Sequence, residues 1–133
     1  MAISDIMTTR LITVTPTETA GRMYVIFEKL SIHNLLVVED GHLLGVVAQS
    51  EVMKTISPFA NTKVESDKYR FTTNRQAQQM MQKKPPTIQV NRAILEAAET
   101  MLKHNTGVLP VLNRDELLVG VLSWKDVLRY IVK

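Results

Sequence analysis

The fold of this chain is decided by one short stretch that occurs twice. Residues 118–131 read LVGVLSWKDVLRYI, and residues 43–56 read LLGVVAQSEVMKTI. The glycine of each copy lies 75 positions from its counterpart, and the same shift pairs three apolar residues: Val52 with Val127, Met53 with Leu128, and Ile56 with Ile131. An internal repeat of this kind indicates a duplicated structural unit.

Upstream of each copy lies a stretch with the periodicity of an amphipathic helix. Apolar residues recur there at i, i+3, i+4 and i+7, which places them on one face of a helix. They are Met23, Ile26, Phe27 and Leu30 in the first half and Ile94, Ala97, Ala98 and Met101 in the second. Short aliphatic runs follow, at 35–38 and 108–112, and their valine content favours buried strands.

Two turns separate the paired strands. Asp40-Gly41 predicts a tight hairpin, whereas the second turn, at 113–116, has no glycine and is a weaker signal. Pro110 has no N–H to donate to a ladder, so we expect it at a sheet edge or a strand end. Each half therefore predicts the element order β-α-β-β-α.

We expect an α/β (α+β) protein built from two such repeats, at 1–56 and 77–133, joined by a linker at 57–76. One half alone would leave one face of its sheet poorly covered. The halves should therefore pack sheet to sheet, with pseudo-two-fold symmetry and a cleft between them. Aromatic side chains are expected to pack parts of the polar linker: Phe59, Tyr69 and Phe71.

Composition argues against several classes of protein. The 133 residues include no cysteine, which excludes disulfides, thiolate metal sites and a cysteine nucleophile. The net charge of +3 is too small for a concentrated nucleic-acid-binding face, and Lys83-Lys84 is interpreted as a solvated linker doublet. Neither a signal peptide nor a bilayer-spanning apolar run is visible, so we expect a cytoplasmic protein without a membrane partner.

Catalytic motifs are missing from the sequence as well. The three histidines, His33, His42 and His104, have no metal-ligand spacing among them. Ser123 does not lie in a nucleophile elbow, and neither glycine fingerprint for dinucleotides or phosphates is present. We therefore expect no enzymatic activity, no metal site and no required cofactor.

The order of these elements resembles a cystathionine-β-synthase-type (CBS) domain, occurring twice. The resemblance lies in Ile12-Thr13-Val14-Thr15-Pro16, the amphipathic helices, Leu44-Gly45-Val46-Val47 and, more closely, residues 119–126. It covers nearly the whole chain apart from the linker. The layout is also similar to small stand-alone bacterial proteins made only of this module, including the acetoin-utilisation type. The resemblance implies a regulatory CBS pair, or Bateman module, that binds an adenosine-containing ligand between its repeats: AMP, ADP, ATP or S-adenosylmethionine.

The resemblance also implies which residues contact that ligand. Residues 120–126 match in full the family motif glycine–aliphatic–any–Thr/Ser–any–any–Asp. By analogy, Asp126 accepts hydrogen bonds from both ribose hydroxyls, and Ser123 contacts ribose or phosphate at a helix N-terminus. The competing interpretation is that Ser123 and Asp126 form a capping box for the helix that they begin, and the two roles can coexist.

The first half departs from this motif. Ala48 and Glu51 stand where the hydroxyl and the aspartate belong, so we expect the first site to be weak or empty. The family often places His or Arg just before the central strand to meet phosphate. His33-Asn34 occupies these positions in the first half, and Gly107-Val108 occupies them in the second, which leaves room for a ligand with little negative charge near Val108. The interpretation that competes with phosphate contact, and the one we favour for His33, is a partly exposed histidine at a strand edge.

The remaining candidate contacts have two interpretations each. The analogy places adenine against apolar residues that would otherwise be core: Ile12, Ile32 and Ile88. Trp124 could stack on a base or fill a dimer contact, and Lys125 follows it in the motif.

Two functions remain open at this stage. In the first, the ligand binds one relative orientation of the repeats more tightly and shifts the population toward that orientation. An effector protein outside this chain responds to the change in orientation. The alternative is a ligand-free dimerisation or docking module with no small-molecule site. Either role is compatible with a homodimer, and nucleic-acid binding is a distant third.

Overall fold

The computed structural model describes residues 2–56 and 74–132. The expectation that Phe59, Tyr69 and Phe71 pack the linker falls outside these residues. The described elements are, in order, α1 (Ile3–Ile6), β1 (Thr13–Val14), α2 (Ala20–Lys29), β2 (Asn34–Glu39), β3 (His42–Ala48), α3 (Gln49–Ile56), α4 (Ala77–Met80), β4 (Gln82–Lys83), β5 (Ile88–Gln89), α5 (Ile94–His104), β6 (Val108–Leu112), β7 (Leu118–Ser123) and α6 (Trp124–Ile131).

The first sheet has the strand order β1-β2-β3-β4. Strand β1 runs parallel to β2, which pairs antiparallel with β3, and β3 pairs antiparallel with β4. Asp40 and Gly41 form the predicted hairpin turn, with φ of 52° and 82°. Two successive residues with positive φ match the twist of the flanking strands, which is why this dipeptide suits the turn. The hairpin prediction is confirmed.

The second sheet has the order β5-β6-β7, with the same parallel and antiparallel pairing. Its hairpin closes without glycine. Asn113 Oδ1 accepts hydrogen bonds from the backbone N–H groups of Asp115 at 2.9 Å and Leu117 at 3.0 Å. Glu116 takes the left-handed conformation, with φ of 65°, in place of a glycine. An asparagine side chain that bonds its own backbone two residues on is a common turn device.

The expectation for Pro110 is wrong. Pro110 lies inside β6, which is the central strand of its sheet, and is paired with Val121 of β7. The pairing of β5 with β6 begins opposite Val111, so the short partner strand does not reach Pro110. A proline is tolerated here because its missing N–H faces no ladder partner in that pairing.

The predicted helical stripes form the two cores. Met23 and Phe27 of α2 are buried in the first, and Ala97 and Met101 of α5 are buried in the second. Each core is completed by aliphatic strand residues, which include Leu35, Val37 and Val47 in one and Leu109, Val111 and Leu122 in the other. The amphipathic pattern thus predicted the buried helix faces correctly except at Leu30, which follows the last residue of α2 and is 41% exposed.

The compact units do not follow the linear order of the repeats. One unit comprises Met1–Leu11 with Pro86–Lys133, and the other comprises Ile12–Pro85. Thr8 bridges to Val121 of β7, and β4 pairs with β3, so each sheet is extended by residues near the start of the other repeat. The repeat boundaries inferred from sequence stay a prediction.

The sequence pattern did not predict the short helices α1 and α4. Each begins with half of a capping box: the Ala2 N–H donates to Asp5 Oδ2 at 2.8 Å, and the Gln76 N–H donates to Gln79 Oε1 at 2.7 Å. Four-residue helices are too short to show an apolar period, so only these acceptor side chains indicate them.

None of the helices within the described ranges has the length and apolar composition that crossing a membrane requires.

Candidate functional site

The site begins where β7 passes into α6. Ser123 is the last residue of the strand and the N-cap of the helix. Its Oγ accepts a hydrogen bond from the Asp126 N–H at 3.2 Å, and Asp126 Oδ2 accepts one from the Ser123 N–H at 2.9 Å. The reciprocal pair is a complete capping box, so the capping interpretation describes this geometry.

Asp126 is also the one buried polar or charged residue within the described part of the chain, with 7% of its surface exposed. Arg129 Nη1 lies 3.3 Å from Asp126 Oδ1, and the arginine side chain is 72% exposed. The carboxylate is therefore held by one backbone donor and one cation. A carboxylate has about four lone-pair sites, so two contacts leave acceptor capacity for other donors.

Gly107 packs directly beneath Trp124. The backbone N–H of Trp124 donates to the Gly107 carbonyl at 3.0 Å. A Cβ on Gly107 would lie 2.7 Å from Cδ1 of the Trp124 indole. Glycine is required here because any side chain would displace the ring. Trp124 is 53% exposed and helps to line a groove of about 410 Å³ between α5 and α6. Val108 is half-buried and pairs with Ser123, and Lys125 is exposed.

The apolar candidates lie in or against the two cores. Ile12 and Ile32 pack against the first core, and Ile88 is a member of the second. His33 is exposed, and its Nδ1 lies 3.4 Å from Gln49 Oε1. The His33 carbonyl accepts from the Gln49 N–H at 2.8 Å, the counterpart of the bond between Gly107 and Trp124.

The candidates thus divide between the two compact units. Most lie in the unit with the second repeat: Gly107, Val108, Ser123, Trp124, Lys125, Asp126 and Ile88. The unit with the first repeat holds Ile12, Ile32 and His33.

A cavity that the sequence did not predict lies in the compact unit formed by Ile12–Pro85. It has a volume of about 340 Å³ and is lined by Asn34, Val46, Ala48, Glu51, Met80, Met81 and Gln82. Ala48 and Glu51 are the residues that replace the hydroxyl and the aspartate of the motif. Met81 lies at this cavity because its side chain packs on Gly45, in the same way that the Met7 side chain packs on Gly120. The repetition of Ile6-Met7 and Met80-Met81 in sequence was the available signal.

Among residues 2–56 and 74–132, no group of three or more His, Asp or Glu side chains is arranged to hold a metal ion.

Comparison with known proteins agrees with this architecture. The family model described as "CBS domain" matches twice, at residues 3–58 and 77–133. The uncharacterised protein MJ1225 of Methanocaldococcus jannaschii is 26% identical over 129 residues, which is 96% of this chain and 46% of that protein, so this chain spans about half the length of that relative. The structure of MJ1225 superposes with a TM-score of 0.83 over 98% of this chain and 47% of that one.

Two solved structures that contain adenosine compounds have the same fold. CBSX2 of Arabidopsis thaliana in complex with AMP is 22% identical, with a TM-score of 0.81 over 98% of this chain and 96% of that one. The CBS domain pair of protein MJ0100, in complex with 5′-methylthioadenosine and S-adenosyl-L-methionine, is 20% identical, with a TM-score of 0.77 over 99% and 96% of the two chains.

The two mixed sheets, each with its helices, define a tandem α/β repeat protein. The chain belongs to the CBS domain family, and it carries two CBS repeats.

Proposed function

We propose that this CBS pair is a regulatory module that binds an adenosine-containing ligand, with Asp126 accepting hydrogen bonds from the ribose hydroxyls. The observation that carries the proposal is the state of Asp126: a carboxylate that is buried, fixed in orientation and left with acceptor capacity. A rigid acceptor loses little freedom on binding, which favours affinity.

The surroundings of Asp126 support a ligand of low negative charge at this repeat. Gly107-Val108 contributes no cation at the position where the first repeat has His33-Asn34. The guanidinium of Arg129 is paired with the carboxylate of Asp126, so the charge of this arginine is already balanced within the chain. Structures of relatives contain AMP, or 5′-methylthioadenosine with S-adenosylmethionine, so both anionic and cationic adenosine compounds belong in the ligand panel.

The competing function is a docking module without a small ligand. One observation favours it: both carboxylate oxygens of Asp126 already have partners within the chain, which is sufficient for a structural cap. The two functions differ in what Asp126 does when a nucleoside is added, and this difference decides between them.

The deciding experiment uses Asp126→Asn in a binding titration by calorimetry, with AMP, ADP, ATP and S-adenosylmethionine. Asparagine keeps an oxygen for the Ser123 N–H but loses the charge and one acceptor, so folding is largely retained. Loss of a charge-assisted contact of about 1.5–3 kcal/mol lowers affinity roughly ten- to a hundredfold. The matched control is Glu51→Gln, the corresponding residue of the first repeat, which should leave the affinity unchanged.

Two results would contradict the proposal. One is the absence of any heat or thermal shift with the whole panel at millimolar ligand. The other is a ligand affinity that Asp126→Asn leaves unchanged while the ligand-free melting temperature falls, because a pure cap behaves in that way.

The proposal extends to how the module works. It acts without catalysis of its own and without a required cofactor, in the cytoplasm, as a homodimer. A ligand preferred by one arrangement of the repeats shifts the population toward it, and an effector protein outside this chain responds.

A further inference from the structure

Sulfur is present in this chain only as methionine. The sequence has seven methionines and no cysteine, so no thiol competes with the thioethers for an oxidant. A peroxide converts a thioether to a sulfoxide, which is polar and can be reduced again. The methionines are therefore the candidates for reversible oxidation, and their surroundings differ.

Exposure divides the methionines into two groups. Met23 and Met101 are buried in the two cores, with 0% and 6% of their surface exposed. Four further methionines are partly exposed: Met7, Met53, Met80 and Met81. Met80 and Met81 also line the cavity of about 340 Å³ beside Glu51. Hydrogen peroxide is little larger than water, which occupies about 30 Å³ in the liquid, so this cavity admits it.

The sulfur of Met81 lies against backbone atoms. A Cβ on Gly45 would be 2.6 Å from Met81 Sδ and 2.7 Å from the Gln82 carbonyl oxygen, so this sulfur and this oxygen share the space over Gly45. An oxygen added to Sδ on this side would crowd Gly45 and face another acceptor with no donor between them. A sulfoxide oxygen requires a hydrogen-bond donor or water, so it must turn toward the cavity and take the side chain away from Gly45.

Movement of Met81 acts on the strand that follows it. β4 consists of Gln82 and Lys83 only, and these two residues pair with Val46 and Gly45 of β3. A two-residue strand is held by few hydrogen bonds and opens at low cost in free energy. Displacement of the adjoining Met81 side chain therefore releases β4 from β3.

The corresponding contact in the second repeat lacks this constraint. The three atoms nearest to a Cβ on Gly120 all belong to Met7, and no backbone oxygen is among them. A flexible methionine side chain turns away there without moving a strand. Oxidation should therefore disturb strand pairing at Met81 more than at Met7.

We propose that Met81 is a site of reversible oxidative modification, at which hydrogen peroxide forms a sulfoxide and thereby releases β4 from β3. In this step a lone pair of Sδ attacks one peroxide oxygen and the O–O bond breaks. That oxygen stays on sulfur, the other leaves as water, and the two electrons that sulfur loses reduce the peroxide. A methionine sulfoxide reductase with a dithiol reverses the modification, because the oxygen then leaves as water and the dithiol becomes a disulfide. The modification requires no adenosine ligand and goes beyond the proposed function.

The first test treats the full chain with hydrogen peroxide and locates the added oxygen in tryptic peptides by tandem mass spectrometry. Met81 should be oxidised at least about tenfold faster than Met23 and Met101, since burial excludes the oxidant from both. The oxidised chain should have a urea midpoint lower by roughly 0.5–1 M, the effect of one polar oxygen placed in an apolar contact. Methionine sulfoxide reductase with dithiothreitol should restore the original midpoint.

Substitution separates the effect of Met81 from that of its neighbour. Met81→Leu keeps an apolar side chain of similar volume without sulfur, so peroxide should no longer shift the urea midpoint. The matched control is Met80→Leu, which removes the adjacent thioether of the same cavity and should leave the peroxide shift unchanged.

Hydrogen exchange measures the release of β4 directly in the unsubstituted chain, so it decides the question even where Met81→Leu does not fold. After oxidation, the amide protons that pair β4 with β3 should exchange at least about tenfold faster. The amides of Thr8 and Val121, which donate to each other's carbonyl groups at 2.8 and 2.9 Å, should keep their exchange rates.

Four results would each overturn the proposal: no sulfoxide at Met81 when Met80 is fully oxidised, a Met81 sulfoxide with an unchanged midpoint and unchanged exchange, the same peroxide shift in Met81→Leu, or a shift that Met80→Leu abolishes. A midpoint that the reductase does not restore would do so as well.

Discussion

The two glycines that align the repeats predict different responses to the same substitution. A Cβ on Gly120 would lie 2.5 Å from Met7 Sδ, and its three nearest contacts are all atoms of that methionine side chain. A Cβ on Gly45 would lie 2.6 Å from Met81 Sδ and also 2.7 Å from the Gln82 carbonyl oxygen. That oxygen is backbone of β4, which is paired to β3, so it cannot move away without breaking the pairing.

The magnitudes follow from which atoms can move. Methionine is flexible, so Met7 can swing aside from Gly120→Ala, and the alanine gains about 0.4–1 kcal/mol from a less mobile unfolded chain. We therefore expect a net loss in the free energy of unfolding of no more than about 1 kcal/mol. Gly45→Ala cannot be relieved in this way, and overpacking of roughly 1–3 kcal/mol should dominate. The expected net loss is about 1–2 kcal/mol.

Urea unfolding followed by circular dichroism is the assay. A loss of about 1–2 kcal/mol lowers the midpoint by roughly 0.5–1 M urea for a slope typical of this size. The decisive comparison adds Met7→Ala to Gly120→Ala, and Met81→Ala to Gly45→Ala. Removing the methionine should abolish the destabilising effect of the glycine substitution in the second repeat but only reduce it in the first, because the Gln82 oxygen remains. Equal losses for the two single variants, or complete rescue of Gly45→Ala, would refute the reasoning.

Two further substitutions test the local geometry by urea unfolding. Ser123→Ala removes the N-cap of α6 and should lower the free energy of unfolding by about 1 kcal/mol. The control, Ser50→Ala, changes an exposed serine inside α3 and should alter the free energy of unfolding little. Equal effects of the two substitutions would contradict the capping role of Ser123. Glu116 has the left-handed conformation, with φ of 65°, so Glu116→Gly should raise the free energy of unfolding by up to about 1 kcal/mol. Asp115 has no positive φ, so Asp115→Gly should not raise the free energy of unfolding. A destabilised Glu116→Gly variant would count against strain at this turn.

The candidate site was predicted from sequence only in part. The motif at 120–126 led to Ser123 and Asp126, and the structure shows that these two contact each other through reciprocal hydrogen bonds. Whether they bind a nucleoside stays a prediction. The cavity beside Glu51 was missed, because Met80 and Met81 come from a segment far along the chain from Ala48. Spacing along the sequence does not indicate which distant segments lie next to each other in the folded chain.

The sequence by itself determined the duplication, the helices at α2 and α5, and the glycine-containing hairpin. These are local properties: an apolar period or a turn dipeptide acts on its own few residues. Tertiary structure alone decided that Pro110 lies in a central strand, that Ile56 is buried and Ile131 exposed, and that Met7 packs in the unit of the second repeat. Burial and strand position depend on neighbours that are distant in sequence. The same residue type at corresponding positions of the two repeats can therefore be buried in one repeat and exposed in the other.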